Sequence, residues 1–360
     1  MARILYGVHG TGRGHAIRAL TLAQHYSQHD FLFVCHGEAA RLLGGQFRVF
    51  ECPNPVTPVG SHRVDAPAAL LRTAATLSNG AHWRRRVEQA AEAFVPDFAM
   101  TDYEFFVPRV ARRMGVACLS LDNQHVITMG RIACPLGQMS SRLATAAAVR
   151  LLFSSADQYL VCNFFDVPAR ASSPWLRQLP PLLRRDVVAR RPTTGDHVVA
   201  YQGYPTFPAF VEHLATLGRP VRVYGLGERC SLGRVIFKAF DEQSFLDDLA
   251  SCAFVVCGGG HTLISEALHL GKPVLSIPVR GAFEQFLNAH YLERLGYGMR
   301  ADLATFSSRI LHEFEVRLES YRARIGHGDF CGNDAAFAAI DAFIDGRWRR
   351  SPRSGPRARI

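Results

Sequence analysis

FVVCGGGHTLISEAL, residues 254–268, carries the clearest instruction in the chain. Four apolar, strand-favouring residues end in three glycines, and the apolar spacing then changes from that of a strand to that of a helix. Glycines at such a junction let the backbone approach a ligand closely, while the helix start offers N–H groups and the positive end of its dipole. Gly258, Gly259, Gly260, His261 and Thr262 thus form an anion cradle by construction. Glu266, one turn into the helix, is placed to reach the sugar hydroxyls of a nucleotide held there. Taken alone, the same residues also suit a tight turn with a solvated glutamate.

Working outward, strand-like and helical runs alternate on both sides of this stretch. ARILYGV, FLFVCHG, DFAMTD and ACLSLDN precede or follow helical patterns in the first part, and HVVAYQG, PVRVYGLG, VIFKAF and PVLSIPV do so in the second. A helix is expected over 206–218. Strands alternating with helices of about ten residues predict parallel sheets with right-handed crossovers. The proline- and arginine-rich segment 172–194 interrupts the pattern and reads as an interdomain connection. The expected division is therefore an N-terminal domain over 1–190, a C-terminal domain over 191–345 and a basic tail over 346–360. In such sheets ligands bind beyond the C-terminal strand ends, so the loops after strands carry the chemistry.

Composition narrows the function classes. At 360 residues and 48% hydrophobic content the chain is long enough for two cored domains. No apolar run approaches the roughly 20 residues of a membrane-spanning helix. The start of the chain has no secretory pattern, so a cytoplasmic protein is expected. Nine cysteines are scattered without metal-binding spacing, which predicts reduced core thiols. A net charge of +10 favours anionic partners. The excess sits at Arg84, Arg85 and Arg86, at Arg184 and Arg185, at Arg190 and Arg191, and in the tail RWRRSPRSGPRAR. No nucleic-acid-binding motif accompanies it, so no nucleic-acid partner is expected.

Further post-strand loops hold polar groups. Glu284 and Gln285 open a helix after PVLSIPV, with Asn288 one turn on; Phe240 and Gln243 flank a turn before FLDDLASC. An aromatic ring there can stack on a base and an amide can hold it, although a core phenylalanine is the commoner outcome. Near the start, GVHGTGRGHAIRAL (residues 7–20) places glycines and two histidines where a strand meets a helix.

The order and spacing of GVHGTGRGH, FDEQSFLDDLASC, CGGGHTLISEAL and PVRGAFEQFLNAHYLERLGYG resembles the GT-B glycosyltransferases. The likeness is greatest to the family-28-like branch that contains the peptidoglycan N-acetylglucosaminyltransferase. The resemblance implies an α/β fold, GT-B, with two Rossmann-like doubly wound domains facing across a cleft. It implies that the C-terminal domain binds a nucleotide sugar, usually a UDP-sugar, and the N-terminal domain the acceptor. On it, Gly258 to Thr262 take the pyrophosphate, Glu266 the ribose, and Glu284 and Gln285 the donor sugar. Phe240 and Gln243 fall where many relatives have a tryptophan and a glutamine around the base, so the base stays open. Gly225 and Gly227 line the nucleotide side, with Gly12, Arg13 and Gly14 towards the donor phosphates. His15 matches the histidine that serves as general base, and Asp102 an aspartate that orients it. Asp122, Asn123 and His125 are acceptor-site candidates, His125 also being the rival base.

The activity implied is inverting, metal-independent transfer to a hydroxyl, with no cofactor. The acceptor is open between lipid-linked, polysaccharide, protein and small molecules, and the basic clusters fit peripheral contact with an anionic membrane at its cytoplasmic face. A dinucleotide oxidoreductase fits poorly: the first loop reads GxGxG, not GxGxxG, and the second strand ends in Cys35 and His36 instead of an acidic residue. A nucleotide-sugar 2-epimerase of the same fold, or a non-catalytic sugar-binding protein, are the remaining alternatives.

Overall fold

The computed structural model describes residues 1–171, 174–202 and 208–347. The chain forms two compact units. One comprises Met1–Val56, Pro67–Leu182 and the chain from Gly332; the other comprises Thr57–Ala66 and Leu183–Cys331. The boundary read at residue 190 thus lies inside the second unit.

The first unit is built on seven parallel strands. These are β1 (Arg3–Val8), β2 (Asp30–Cys35), β3 (Arg48–Glu51), β4 (Phe98–Asp102), β5 (Cys118–Asp122), β6 (Gln158–Cys162) and β7 (Leu176–Leu179). Their order is β3-β2-β1-β4-β5-β6-β7, so the sheet grows one way from β1 and then reverses. Helices α1 (Arg13–His25), α2 (Gly37–Gly44), α3 (Ala66–Ser78), α4 (Gly80–Phe94) and α5 (Val107–Met114) follow or connect these strands. The central strands are mostly apolar because helices cover both faces, with the carboxylates Asp102 and Asp122 at the ends of β4 and β5. Ile4, Leu5, Tyr6 and Val8 of β1 are all buried, and each such side chain contributes roughly 1.5–3 kcal/mol through the water it leaves.

The second unit repeats the plan with six parallel strands. In chain order they are β8 (Val198–Tyr201), β9 (Val221–Tyr224), β10 (Val235–Phe237), β11 (Phe254–Cys257), β12 (Val274–Ser276) and β13 (Gly298–Arg300), arranged β10-β9-β8-β11-β12-β13. Helices α6 (His261–His269) and α7 (Phe283–Arg294) follow β11 and β12. In both units the order turns back beside the first strand, and there adjacent crossovers leave on opposite faces of the sheet and open a crevice.

Two parts of the sequence reading are corrected. Segment 172–194 is more than a connection: residues 176–179 are β7, which pairs with β6 in the register Tyr159↔Leu176. Residues 172 and 173 lie outside the described residues. The closing helix, α8 (Asn333–Ile344), belongs to the first unit and not to the C-terminal domain. Tyr26 at the end of α1 anchors it, donating to Asp341 Oδ1 at 2.9 Å and to the Phe337 carbonyl at 3.1 Å, while His25 stacks on Phe337. The helix read over 206–218 is Pro208–Leu214; residues 206 and 207, and all of the basic tail beyond Arg347, lie outside the described residues. Among the described residues no helix is long and apolar enough to cross a membrane.

The glycines of the 258–260 run are not equivalent. A Cβ on Gly259 would stand 2.3 Å from the Gln285 carbonyl oxygen and 2.6 Å from its Cβ, whereas one on Gly260 would meet nothing within 4 Å. Gly259→Ala should therefore destabilise the protein by about 2 kcal/mol or more through overpacking, and Gly260→Ala by less than about 1 kcal/mol. Equal denaturant midpoints for the two variants would contradict this difference.

Candidate active site

The turning point of the first sheet brings together groups that lie far apart in sequence. Val8 of β1 pairs with Asp102 of β4, so the loop after β1 and the end of β4 emerge side by side. Gly12, with φ 77°, makes the turn into α1, a conformation that carries little penalty only without a Cβ. Arg13, Gly14 and His15 then form the first turn of α1, which has no acidic residue and no side-chain cap.

His15 Nδ1 lies 2.7 Å from Asp102 Oδ1. Arg18, one turn along the same helix, donates to both oxygens of that carboxylate, from Nε at 2.7 Å and Nη2 at 2.8 Å. Asp102 is completely buried. Burial by itself would raise its carboxyl, but Arg18 and His15 overcome that and hold it at about 2. An ionised carboxylate can only accept, so the proton of neutral His15 sits on Nδ1 and Nε2 presents its lone pair. Gln124 Nε2 is 3.5 Å from that nitrogen.

A second histidine stands beside the first. His9, its ring centroid 5.3 Å from that of His15, meets the amide of Asn54, whose Nδ2 is 2.8 Å from His9 Nδ1. The Phe105 N–H donates to Asn54 Oδ1 and so fixes which way the amide faces. Burial, then the neighbouring His15 and His36, push His9 well below the usual imidazole range. It is a buried, neutral neighbour of His15.

The acceptor candidates are less open than the sequence suggests. Asp122 Oδ2 lies 2.6 Å from His125 Nδ1 and accepts from Ser120 Oγ at 2.9 Å, while Oδ1 accepts from the His125 N–H at 2.9 Å. His125 Nε2 in turn meets Ser154 Oγ at 3.1 Å. With His125 only 1% exposed, this pair is an internal brace, unlike His15. Asn123 is buried beside it.

In the second unit the corresponding turning point lies between β8 and β11, where Tyr201 pairs with Cys257. Gly258, Gly259 and Gly260 lead into α6, which starts at His261 with Thr262 next and, like α1, has neither a side-chain cap nor an acid in its first turn. Asn288 Nδ2 donates to the Gly259 carbonyl at 2.9 Å, and Gln285 Oε1 accepts from the Val279 N–H at 3.0 Å. Gln285 and Asn288 thereby stiffen the glycine turn from α7, and Glu284 is half-buried in the same first turn. Gly225, at φ 89°, has room for no side chain because a Cβ would stand 2.2 Å from the Gln202 carbonyl oxygen; Gly227, at φ 72°, follows.

Three of the assigned side chains have partners within the second unit. Glu266 is 1% exposed, and its two oxygens accept from Arg184 Nε and Nη2, both at 2.7 Å. Gln243 Oε1 accepts from Arg190 Nη2 at 2.8 Å, and its Nε2 donates to Asp186 at 3.3 Å. Phe240 packs among Tyr224 and Phe245. Sequence reading missed Arg18, Asn54, Arg184 and Gln202. Arg18 could have been found, since it follows His15 by three residues and so shares its helix face. Gln202, buried just past β8 with neither amide atom hydrogen-bonded among the described residues, gave no motif signal. Among the described residues no group of three or more His, Cys, Asp or Glu side chains could hold a metal ion.

Residues 2–319 match the family described as glycosyl transferase family 1. The chain belongs to that family. This glycosyltransferase is 24% identical over 357 residues to an uncharacterised glycosyltransferase of Methanosarcina mazei, covering 89% of this chain and 91% of the relative. Its fold is that of a kitacinnamycin glycotransferase (TM-score 0.66, 17% identity, 97% of this chain and 99% of the other). MurG of Acinetobacter baumannii is a further structural relative (TM-score 0.57, 14% identity, 95% and 99%). The fold class is therefore GT-B, α/β with two Rossmann-like units.

Removing the Asp102 carboxylate from this glycosyltransferase would strand the buried Arg18 cation. Asp102→Ala should cost about 3–5 kcal/mol of stability. Because the native carboxyl is depressed, its contribution is present above the unfolded value near 4 and is lost as pH falls through about 2. The stability gap between wild type and Asp102→Ala should thus narrow on acidification from pH 5 to 2, measured by denaturant titration; a gap that stays constant would refute the assignment.

Proposed function

We propose that the enzyme transfers a sugar from a nucleoside diphosphate sugar, a UDP-sugar first among them, to an acceptor hydroxyl with inversion and without a metal ion. The observation that carries this reading is the His15–Asp102 contact, with Arg18 holding the carboxylate ionised. The acceptor oxygen attacks the anomeric carbon and its proton passes to His15 Nε2. The bond from that carbon to the diphosphate oxygen breaks, and its electron pair leaves with the diphosphate. Asp102 acts as a positioning residue, fixing the tautomer and stabilising the imidazolium that forms.

The developing diphosphate charge is met by the N–H groups of the Gly258 to Thr262 turn and the dipole of α6, with Gly12, Arg13 and Gly14 as a second set. Glu284 and Gln285 take the donor sugar, and Phe240, Gln243, Gly225 and Gly227 border the nucleoside. The ribose hydroxyls donate to Glu266 alongside Arg184, whose guanidinium holds that carboxylate in place. Both a lipid-linked and a polysaccharide alcohol satisfy the chemistry required of the acceptor. The basic run Arg84 to Arg86 suits work at an anionic surface on the cytoplasmic side of a membrane.

A thermal-shift panel of UDP-, TDP- and GDP-sugars tests the donor reading. At least one should raise the melting temperature of the wild type and of His15→Ala alike. With the stabilising donor and an alcohol acceptor, His15→Ala should lower kcat by about 10²–10⁴-fold. No stabilisation by any nucleotide sugar, or a His15→Ala enzyme of undiminished kcat, would overturn the respective half of the proposal.

A further inference from the structure

The first unit has a second polar hollow that the transfer reaction does not use. A cavity of about 430 Å³ is lined by Arg84 of α4, Arg109, Arg112 and Arg113 of α5, and Ser155. Four guanidiniums around one hollow repel one another unless something negative sits among them. Among the described residues the one carboxylate within ion-pair reach of the four is Glu88, 3.6 Å from Arg113. Glu104, whose field reaches Arg109, is turned inward to accept from the Phe106 and Val107 N–H groups, and burial pushes its carboxyl up to about 7.

The four arginines divide the work. Arg109 is fixed: it donates to the carbonyls of Phe105 (2.5 Å), Leu152 (2.8 Å) and Leu151 (3.0 Å) and lies over the Phe105 ring. Those neutral acceptors hold its charge in place. Arg84 Nε is buried and has no hydrogen-bond partner among the described residues, and Arg112 and Arg113 are exposed at the rim. A fixed cation, a buried donor without an acceptor and two adjustable forks suit the several oxygens of a phosphate.

An apolar hollow of about 190 Å³ adjoins this one and shares Arg84 and Arg109 with it; Leu77, Phe105 and Phe106 contribute to its walls. Beside it α3 buries none of its side chains, leaving Leu70 and Leu71 each 72% exposed, and Leu151 is 74% exposed near Arg109. A soluble phosphate would use the basic hollow and leave this apolar surface in water. A phosphate borne on a hydrocarbon chain would use both.

We propose that the Arg84, Arg109, Arg112 and Arg113 pocket recognises the phosphomonoester headgroup of a lipid. A dianionic headgroup answers the uncompensated charge better than a singly charged phosphodiester, so the pocket selects a headgroup and does more than attract a negative surface. The inference is independent of the donor and of His15.

The test is flotation of the full-length protein with phosphatidylcholine vesicles containing either phosphatidic acid or an amount of phosphatidylserine matched in total charge. Wild type should bind the phosphatidic acid vesicles at least about tenfold more tightly, since two charge-assisted contacts are at stake. Arg84→Gln and Arg112→Gln should each abolish that preference. Arg85→Gln, which removes the same charge outside the pocket, should retain it. Melting temperatures and any nucleotide-sugar thermal shift should be the same in all three variants, which separates pocket loss from misfolding and from failure of the donor reading. Equal binding to the two vesicle types, or an equal loss in Arg85→Gln, would overturn the proposal in favour of diffuse attraction. Stabilisation by inorganic phosphate with no vesicle binding would overturn it in favour of a soluble ligand.

Discussion

The first unit depends on one buried ion pair. Asp102 ends β4, Arg18 lies on α1, and a fully buried carboxylate opposite a nearly buried guanidinium is tolerable only because each satisfies the other. Desolvating either alone would cost several kcal/mol. The pair therefore fixes where α1 sits against the sheet, and with it the direction in which His15 faces. The orientation of His15 and the packing of the first crossover are two results of the same contact. The second unit has a parallel arrangement in Glu266 and Arg184, another inward carboxylate held by a bidentate guanidinium.

Glycine does the complementary work. Where carboxylates hold the helices, glycines set how near the loops come. Gly259 lets the turn after β11 lie against Gln285, and Gly225 lets the turn after β9 lie against Gln202. Neither contact survives a methyl group. The helix starts at the ends of β1 and β11 are left without side-chain caps, so their first N–H groups stay open.

Much of the fold was legible because parallel strands buried on both faces are apolar runs bounded by glycines, a pattern that a single chain displays openly. β1, β11 and their following helices fall where the sequence places them. β7 was not legible: its strand residues sit among prolines and arginines, and an edge strand need not be apolar on both faces. The ownership of α8 was hidden because its docking rests on Tyr26 and Asp341, a pairing some three hundred residues apart that no local pattern records. At the site, His15 was legible through its glycine-rich setting and Asp102 through its place after an apolar strand. Arg184 was read only as surface charge, since nothing in a run of basic residues distinguishes the one that turns inward.

The return of α8 has a bearing on how the molecule comes into being. A ribosome releases β1 to β7 first, yet the helix that covers Tyr26 and part of that sheet is made only after the whole second unit. The first unit thus spends most of synthesis with an apolar flank uncovered, and its last tertiary contacts join Tyr26 to Phe337 and Asp341. Such late, long-range closure is slow and leaves an aggregation-prone intermediate. Completion of the histidine-bearing unit is in this way tied to the synthesis of α8, so a chain truncated before α8 carries every residue of the His15 cluster without the packing that seals the sheet beneath it.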